Sequence, residues 1–247
     1  MDEHKNETKQ PQHDAFFKST FCEPPFFRKF LIWLLPFVVE LLDLDKMECE
    51  KDTFIDDQLK AHYSDVIYKI PLRDADEHIV VFILIEHKTR SDHWTMVQVL
   101  RYIVLIWLRE LKAAQEQDRL ATFMLPPVLP IIVYHGEHGY HATLRLGKLI
   151  RPIKAFAKYQ LDFEAMLLDL TDFDKTQPPE DLELFAVLAI MQAVFRPDVA
   201  ERILKIYQKI KHKLGNPYYR DRWLRILRYV MSSSKYLSKQ NFIEVTN

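Results

Sequence analysis

The stretch FILIEHKTRSDHW, residues 82–94, runs an apolar segment into Glu86, His87 and Lys88. On a β-strand, residues two apart share a face, so Glu86 and Lys88 project together while His87 points the other way. Asp65 stands in HYSDVIYK, near the start of the preceding strand-like segment. If the two segments form a hairpin, the start of one lies beside the end of the other, and the two carboxylates meet. Paired carboxylates supply hard oxygen ligands for Mg²⁺, or for a related divalent cation such as Mn²⁺. A cation held there can polarise a phosphodiester and lower the pKa of a bound water. A lysine beside it can orient that water and offset developing negative charge. Gln98 and Tyr102 follow at i and i+4 on the next helical segment, sharing one face, with Arg101 adjacent. Glu-x-Lys alone describes an exposed ion pair equally well, worth ~0–1 kcal/mol. D-x(20)-E-x-K followed by Q-x-x-x-Y is far more specific.

These residues need a strand pair and a helix to position them. Segments 47–55, 63–70 and 79–88 read as strands. The first two alternate in part, and the third is the continuous apolar run of a central strand covered on both faces. Ser91 and Asp92 are N-cap residues for a helix over about 93–114, whose apolar positions are too many for one stripe and predict cover on both sides. A Pro-bounded strand follows at 126–136. Upstream, an aromatic-rich helix opens near Asp14, and Pro36 divides or kinks a second over 26–44. Downstream, 163–170 reads as a strand. Helices over 180–195, 198–213 and 218–234 are separated by Pro197 and by Gly215-Asn216-Pro217.

The net charge of −1 hides an uneven distribution. Residues 201–247 carry eleven Lys/Arg against three Asp/Glu, a net +8, which leaves −9 on residues 1–200. A basic segment on an acidic body fits nucleic-acid contact, with Arg220, Arg222, Arg225 and Arg228 as candidate DNA-binding residues together with Arg101 and Tyr102. The same charge fits a solvated helix face or a clamp onto the acidic body. Cys22 and Cys49 sit in no metal or redox spacing, which fits a reducing cytoplasm, and residues 1–12 read as a disordered lead-in rather than a signal peptide. Residues 30–42 and 102–108 are too short and too interrupted to span a membrane. His135, His138 and His141 have the look of a zinc cluster, but Gly136 and Gly139 make this a loop and no carboxylate or cysteine completes the set. With four glycines and no Gly-rich phosphate or nucleophile motif, P-loop, α/β-hydrolase and dinucleotide-binding readings lose their starting point.

The arrangement resembles the PD-(D/E)XK nuclease superfamily, whose core is helix, three strands, helix, strand. Q-x-x-x-Y is similar to the motif after the catalytic strand in its RecB-like members. HDAFFK, TFIDDQLKAHYSDVIYKI, LIEHKT, VLRYIVLIWLREL and PPVLPIIVYHG resemble the Rpn (YhgA-like) family of recombination-promoting nucleases and transposase-like proteins. The likeness is strong over 13–136 and looser beyond. It implies an α/β, restriction-endonuclease-like core over 13–136 and a mainly helical, basic extension over 137–247. By the same resemblance, Asp65, Glu86 and the His87 backbone carbonyl are the metal ligands, and Lys88 and Gln98 complete the catalytic set. Many members carry Gln where this chain has Lys88, so this chain has the fuller motif; Ser64 stands where the superfamily has Pro. The activity implied is Mg²⁺-dependent DNA cleavage in recombination or mobile-element biology, with DNA as partner. A nuclease-fold module that binds without cutting, and a protein whose basic helices make a homo-oligomer, are the other readings.

Overall fold

The computed structural model describes residues 10–50, 66–73, 80–175 and 177–237. Asp65 lies outside them. The chain is mixed α/β: helices α1 (Gln10–Phe21), α2 (Pro24–Leu34) and α3 (Pro36–Val39), strands β1 (Glu48–Cys49), β2 (Val66–Pro71) and β3 (Val80–Lys88), helix α4 (Thr95–Glu116), strands β4 (Val128–Tyr134) and β5 (Met166–Asp169), then helices α5 (Leu182–Ala193), α6 (Val199–Ile210) and α7 (Pro217–Ser233). Pro36 starts α3, so the proline splits the expected second helix by lacking the N–H that a carbonyl of the preceding turn needs.

The five strands form one sheet in the order β1-β2-β3-β4-β5. β2 and β3 are an antiparallel pair in which Val66 faces Ile85 and Pro71 faces Val80. Along β2 the residues alternate: Val66, Tyr68 and Ile70 are buried, while Ile67, Lys69 and Pro71 are half-buried. In β3 every residue from Phe82 to His87 is buried, as the unbroken apolar run predicts for the middle of a sheet.

The chain forms two compact units, each discontinuous in sequence. One contains 35–133 and 141–168, and so most of the sheet together with α4. The other contains the chain up to Leu34, the segment 134–140 and everything from Asp169 onward, and is mainly helical. Its centre is α5, LELFAVLAIMQA, where nearly every residue is buried; a helix that is apolar all round must be surrounded. Asp181 caps it by accepting from the backbone N–H groups of Glu183 and Leu184, both at 3.0 Å. α6 buries Val199, Ile203, Ile206 and Ile210 as a single stripe. Pro217 opens α7, with the Asn216 side chain accepting from the Tyr218 N–H at 2.9 Å.

Two expectations for α4 are corrected. The helix begins at Thr95, and its N-cap Trp94 makes no side-chain cap. Ser91 and Asp92 lie ahead of it: the Ser91 hydroxyl accepts from the backbone N–H groups of His141 and Ala142, and the Asp92 carboxylate accepts from the Trp94 N–H. Nor is α4 covered on both sides. Val99, Tyr102, Ile103 and Ile106 are buried, but Trp94, Val97, Val104, Leu108 and Leu111 form a second stripe that is exposed. Among the described residues, no helix is long and apolar enough to cross a membrane.

Candidate active site

Side-chain alternation along β3 places Phe82, Leu84, Glu86 and Lys88 on one face. α4 packs on that face in reverse order: Ile106 against Phe82, then Val99, Tyr102 and Ile103 against Leu84. One turn before Tyr102, Gln98 therefore arrives at the polar end of the strand. Lys88 Nζ donates to Gln98 Oε1 at 2.6 Å and is ion-paired with Glu86 Oε1 at 2.6 Å. Gln98 Nε2 donates in turn to Asp92 Oδ2 at 3.2 Å. The apolar ladder sets the helix register, and the register sets the polar cluster.

Glu86 is 1% exposed, and its second oxygen, Oε2, is buried without a hydrogen-bond partner among the described residues. A buried charged oxygen left unsatisfied costs more than the ~1–3 kcal/mol of a neutral one, so a purely structural ion pair has every reason to close it. Oε2 is suited instead to a ligand that brings positive charge. The Lys88 side chain is 14% exposed and forms the edge of the cluster nearest solvent.

The structure thus brings Glu86, Lys88 and Gln98 together, while Asp65 lies outside the described residues. His87 is 3% exposed on the alternate side of the strand. Tyr102 is 2% exposed and packs against Leu84, so it is a core residue of the helix–strand contact, whereas Arg101 is exposed. Glu50 is ion-paired with Arg109 at 3.2 Å.

Of the four candidate arginines on α7, three are exposed and one is not. Arg220, Arg225 and Arg228 reach solvent, with Arg225 also paired to Glu23 at 2.6 Å. Arg222 is 3% exposed and is removed from the DNA-binding set: its Nε donates to Glu183 at 2.7 Å, and its terminal nitrogens donate to Glu23. Glu183 also accepts from Lys29 at 2.7 Å and from the Tyr218 hydroxyl at 2.9 Å. Burial by itself lowers the Arg222 pKa. Hydrogen bonds to Glu23 and Tyr218 and the charges of Glu183 and Glu23 outweigh it and hold the guanidinium above its ordinary range.

The three loop histidines do not converge. His135 is buried, with Nε2 3.0 Å from the Tyr229 hydroxyl, which also lies 2.8 Å from His13 Nδ1; His138 and His141 are exposed. Among the described residues, no group of three or more His, Cys, Asp or Glu is assembled as a metal site. The His13–Tyr229–His135 link escapes a reading of the sequence, since no local spacing joins positions so far apart.

Residues 11–217 match the model of the family described as "Putative transposase, YhgA-like". The chain belongs to this family. It is 34% identical over 169 residues to recombination-promoting nuclease RpnD of Escherichia coli O157:H7, covering 67% of this chain and 61% of that protein. It is 25% identical over 236 residues to recombination-promoting nuclease RpnA of E. coli K12, covering 94% and 76%. It is also 30% identical over 131 residues to the inactive recombination-promoting nuclease-like protein RpnE of E. coli K12, covering 53% and 41%. The match thus spans about three fifths of RpnD's length. No solved structure matches the chain.

Proposed function

We propose that this protein is a divalent-metal-dependent DNA endonuclease with a PD-(D/E)XK core, acting in DNA recombination or mobile-element biology. The observation that carries this reading is the buried Glu86 carboxylate, one oxygen held by Lys88 and the other unsatisfied. Membership of a family with relatives named as recombination-promoting nucleases supports it.

The donor set fits Mg²⁺ or Mn²⁺. Glu86 Oε2 is a hard oxygen with no other described use, and the resemblance adds Asp65 and the His87 carbonyl. Asp65 precedes Val66, and Val66 faces Ile85, the neighbour of Glu86. A cation bound by these residues supplies Lewis-acid polarisation of the scissile phosphate and a bound water of lowered pKa. Lys88 holds the attacking water by hydrogen bonding and offsets negative charge on the phosphorane-like transition state. Gln98 fixes the Lys88 amine against the strand end. Exposed Arg220, Arg225 and Arg228, with Arg101, supply backbone charge contacts.

Similarity to RpnE favours a second reading, a nuclease-fold protein that binds DNA without cutting it. Purified protein is incubated with supercoiled plasmid and Mg²⁺ or Mn²⁺, alongside Asp65→Ala and Lys88→Ala. Nicking by the wild type and by neither variant supports cleavage. Binding without nicking by the wild type in either metal establishes the second reading.

A further inference from the structure

We propose that Asp92 is a positioning residue for the Glu86–Lys88 site, acting through the Gln98 carboxamide; the inference rests on the nuclease reading above. Asp92 uses both carboxylate oxygens. Oδ1 accepts from the Trp94 backbone N–H at 2.9 Å, an Asx turn that leads the chain into α4. Oδ2 accepts from Gln98 Nε2 at 3.2 Å. Gln98 Oε1 then accepts from Lys88 Nζ at 2.6 Å, and Lys88 reaches Glu86 Oε1.

The direction of this chain is fixed by what each group can do. A lysine ammonium only donates and a carboxylate only accepts, so a carboxamide between them has one workable orientation. Asp92 therefore dictates that Gln98 turns its oxygen, not its nitrogen, toward Lys88. With that oxygen in place Nζ is drawn between two acceptors, Gln98 Oε1 and Glu86 Oε1. Without it, one of the holds that keep Nζ off Oε2, the Glu86 oxygen left unsatisfied among the described residues, is lost. The turn residue ahead of the helix thus keeps Lys88 off the ligand oxygen.

The test is an exchange of amide and carboxylate between the two positions. Asp92→Asn keeps an oxygen for the Trp94 N–H but presents an amide N–H₂ to Gln98. Gln98 must then reverse and aim its own N–H₂ at Lys88, donor against donor. Gln98→Glu alone sets two carboxylates against each other. The double variant conserves charge and restores the chain, because the carboxylate introduced at position 98 accepts both from Lys88 and from the amide introduced at position 92. Plasmid nicking with Mg²⁺ by the wild type, the two single variants and the double is measured as kcat and KM, with urea unfolding of all four. Each single variant is expected to lose about 10–100-fold in kcat with KM for DNA unchanged, as outer hydrogen-bond partners of metal sites do. The double variant is expected to recover to within about threefold of the wild type, as interacting neighbours do in such cycles. Wild-type nicking with losses that simply multiply in the double variant overturns the proposal. So does a loss of stability in Asp92→Asn with kcat unaltered. If the wild type does not nick at all, the nuclease reading fails and the catalytic role of Asp92 with it. That failure is distinguishable, because the unfolding cycle still shows coupling between positions 92 and 98.

Discussion

Glu86 gains one short ion pair from Lys88, yet its other oxygen is buried with nothing described to receive it. Stability alone disfavours this arrangement, and the proposed cation would satisfy the remaining oxygen. Under the proposed nuclease function, Lys88 is the partner with the chemical role. Lys88→Gln preserves a donor to Glu86 and an amide for Gln98 but removes the charge. The expected outcome is a loss of about 10²–10³ in kcat, the usual weight of one group that stabilises transition-state charge. The unfolding midpoint is expected to fall as well, because the buried Glu86 carboxylate loses its charge partner, and equal rates in the two proteins would remove Lys88 from the mechanism. Glu86, Lys88 and Gln98 are legible in the sequence because strand and helix periods place them on known faces. Asp92 is not: its residue type reads as a helix cap, and only the Asx turn aims its second oxygen at Gln98.

At the scale of elements, α4 is positioned by its contacts with Phe82 and Leu84, and α7 by the Arg222 cluster. Counting charge along the sequence cannot separate an arginine inside the fold from one outside it. The partners of Arg222 lie 39 and 199 residues away, at Glu183 and Glu23. Removing one member of a buried ion pair costs about 3–5 kcal/mol. Glu183 keeps Lys29 and Tyr218, so Arg222→Ala should fall near the lower end, ~3 kcal/mol, read from urea unfolding. An unchanged midpoint would show the cluster to be dispensable. The same helix carries Tyr229, whose phenol is held well above its ordinary pKa by burial and then by the charge of Asp14. The unfolded chain releases that proton near pH ~10. The neutral phenol therefore contributes stability fully below about pH 10, and the contribution is lost as pH rises toward the folded-state value. Tyr229→Phe is expected to be less stable near neutrality, by about 1 kcal/mol for its lost hydrogen bonds, yet to decline less steeply in thermal melts above about pH 10. Parallel declines would contradict this.

Across the whole molecule, the positions of most strands and helices along the chain follow from hydrophobic period and proline placement, whereas the order of strands in the sheet and the discontinuity of the two compact units do not. Which distant segments pack together depends on tertiary aromatic contacts, such as Phe16 on Tyr229 and Trp33 on Phe173, that no local pattern encodes. The +8 of residues 201–247 is reduced as a binding surface by Arg222, but Arg220 and Arg228 remain exposed, about two helical turns apart. If both contact phosphates, replacing them with Gln should make the slope of log K against log salt shallower by about 1.8, or ~0.9 for each. Fluorescence anisotropy of labelled duplex across a salt series, with Ca²⁺ in place of Mg²⁺, checks this; an unaltered slope assigns the contact elsewhere. Calorimetric titration of Mn²⁺ into wild type and Glu86→Gln tests most directly whether Glu86 Oε2 is a metal ligand. One bound ion is expected in the wild type and none in the folded variant. Equal binding by both, or by neither, would contradict it.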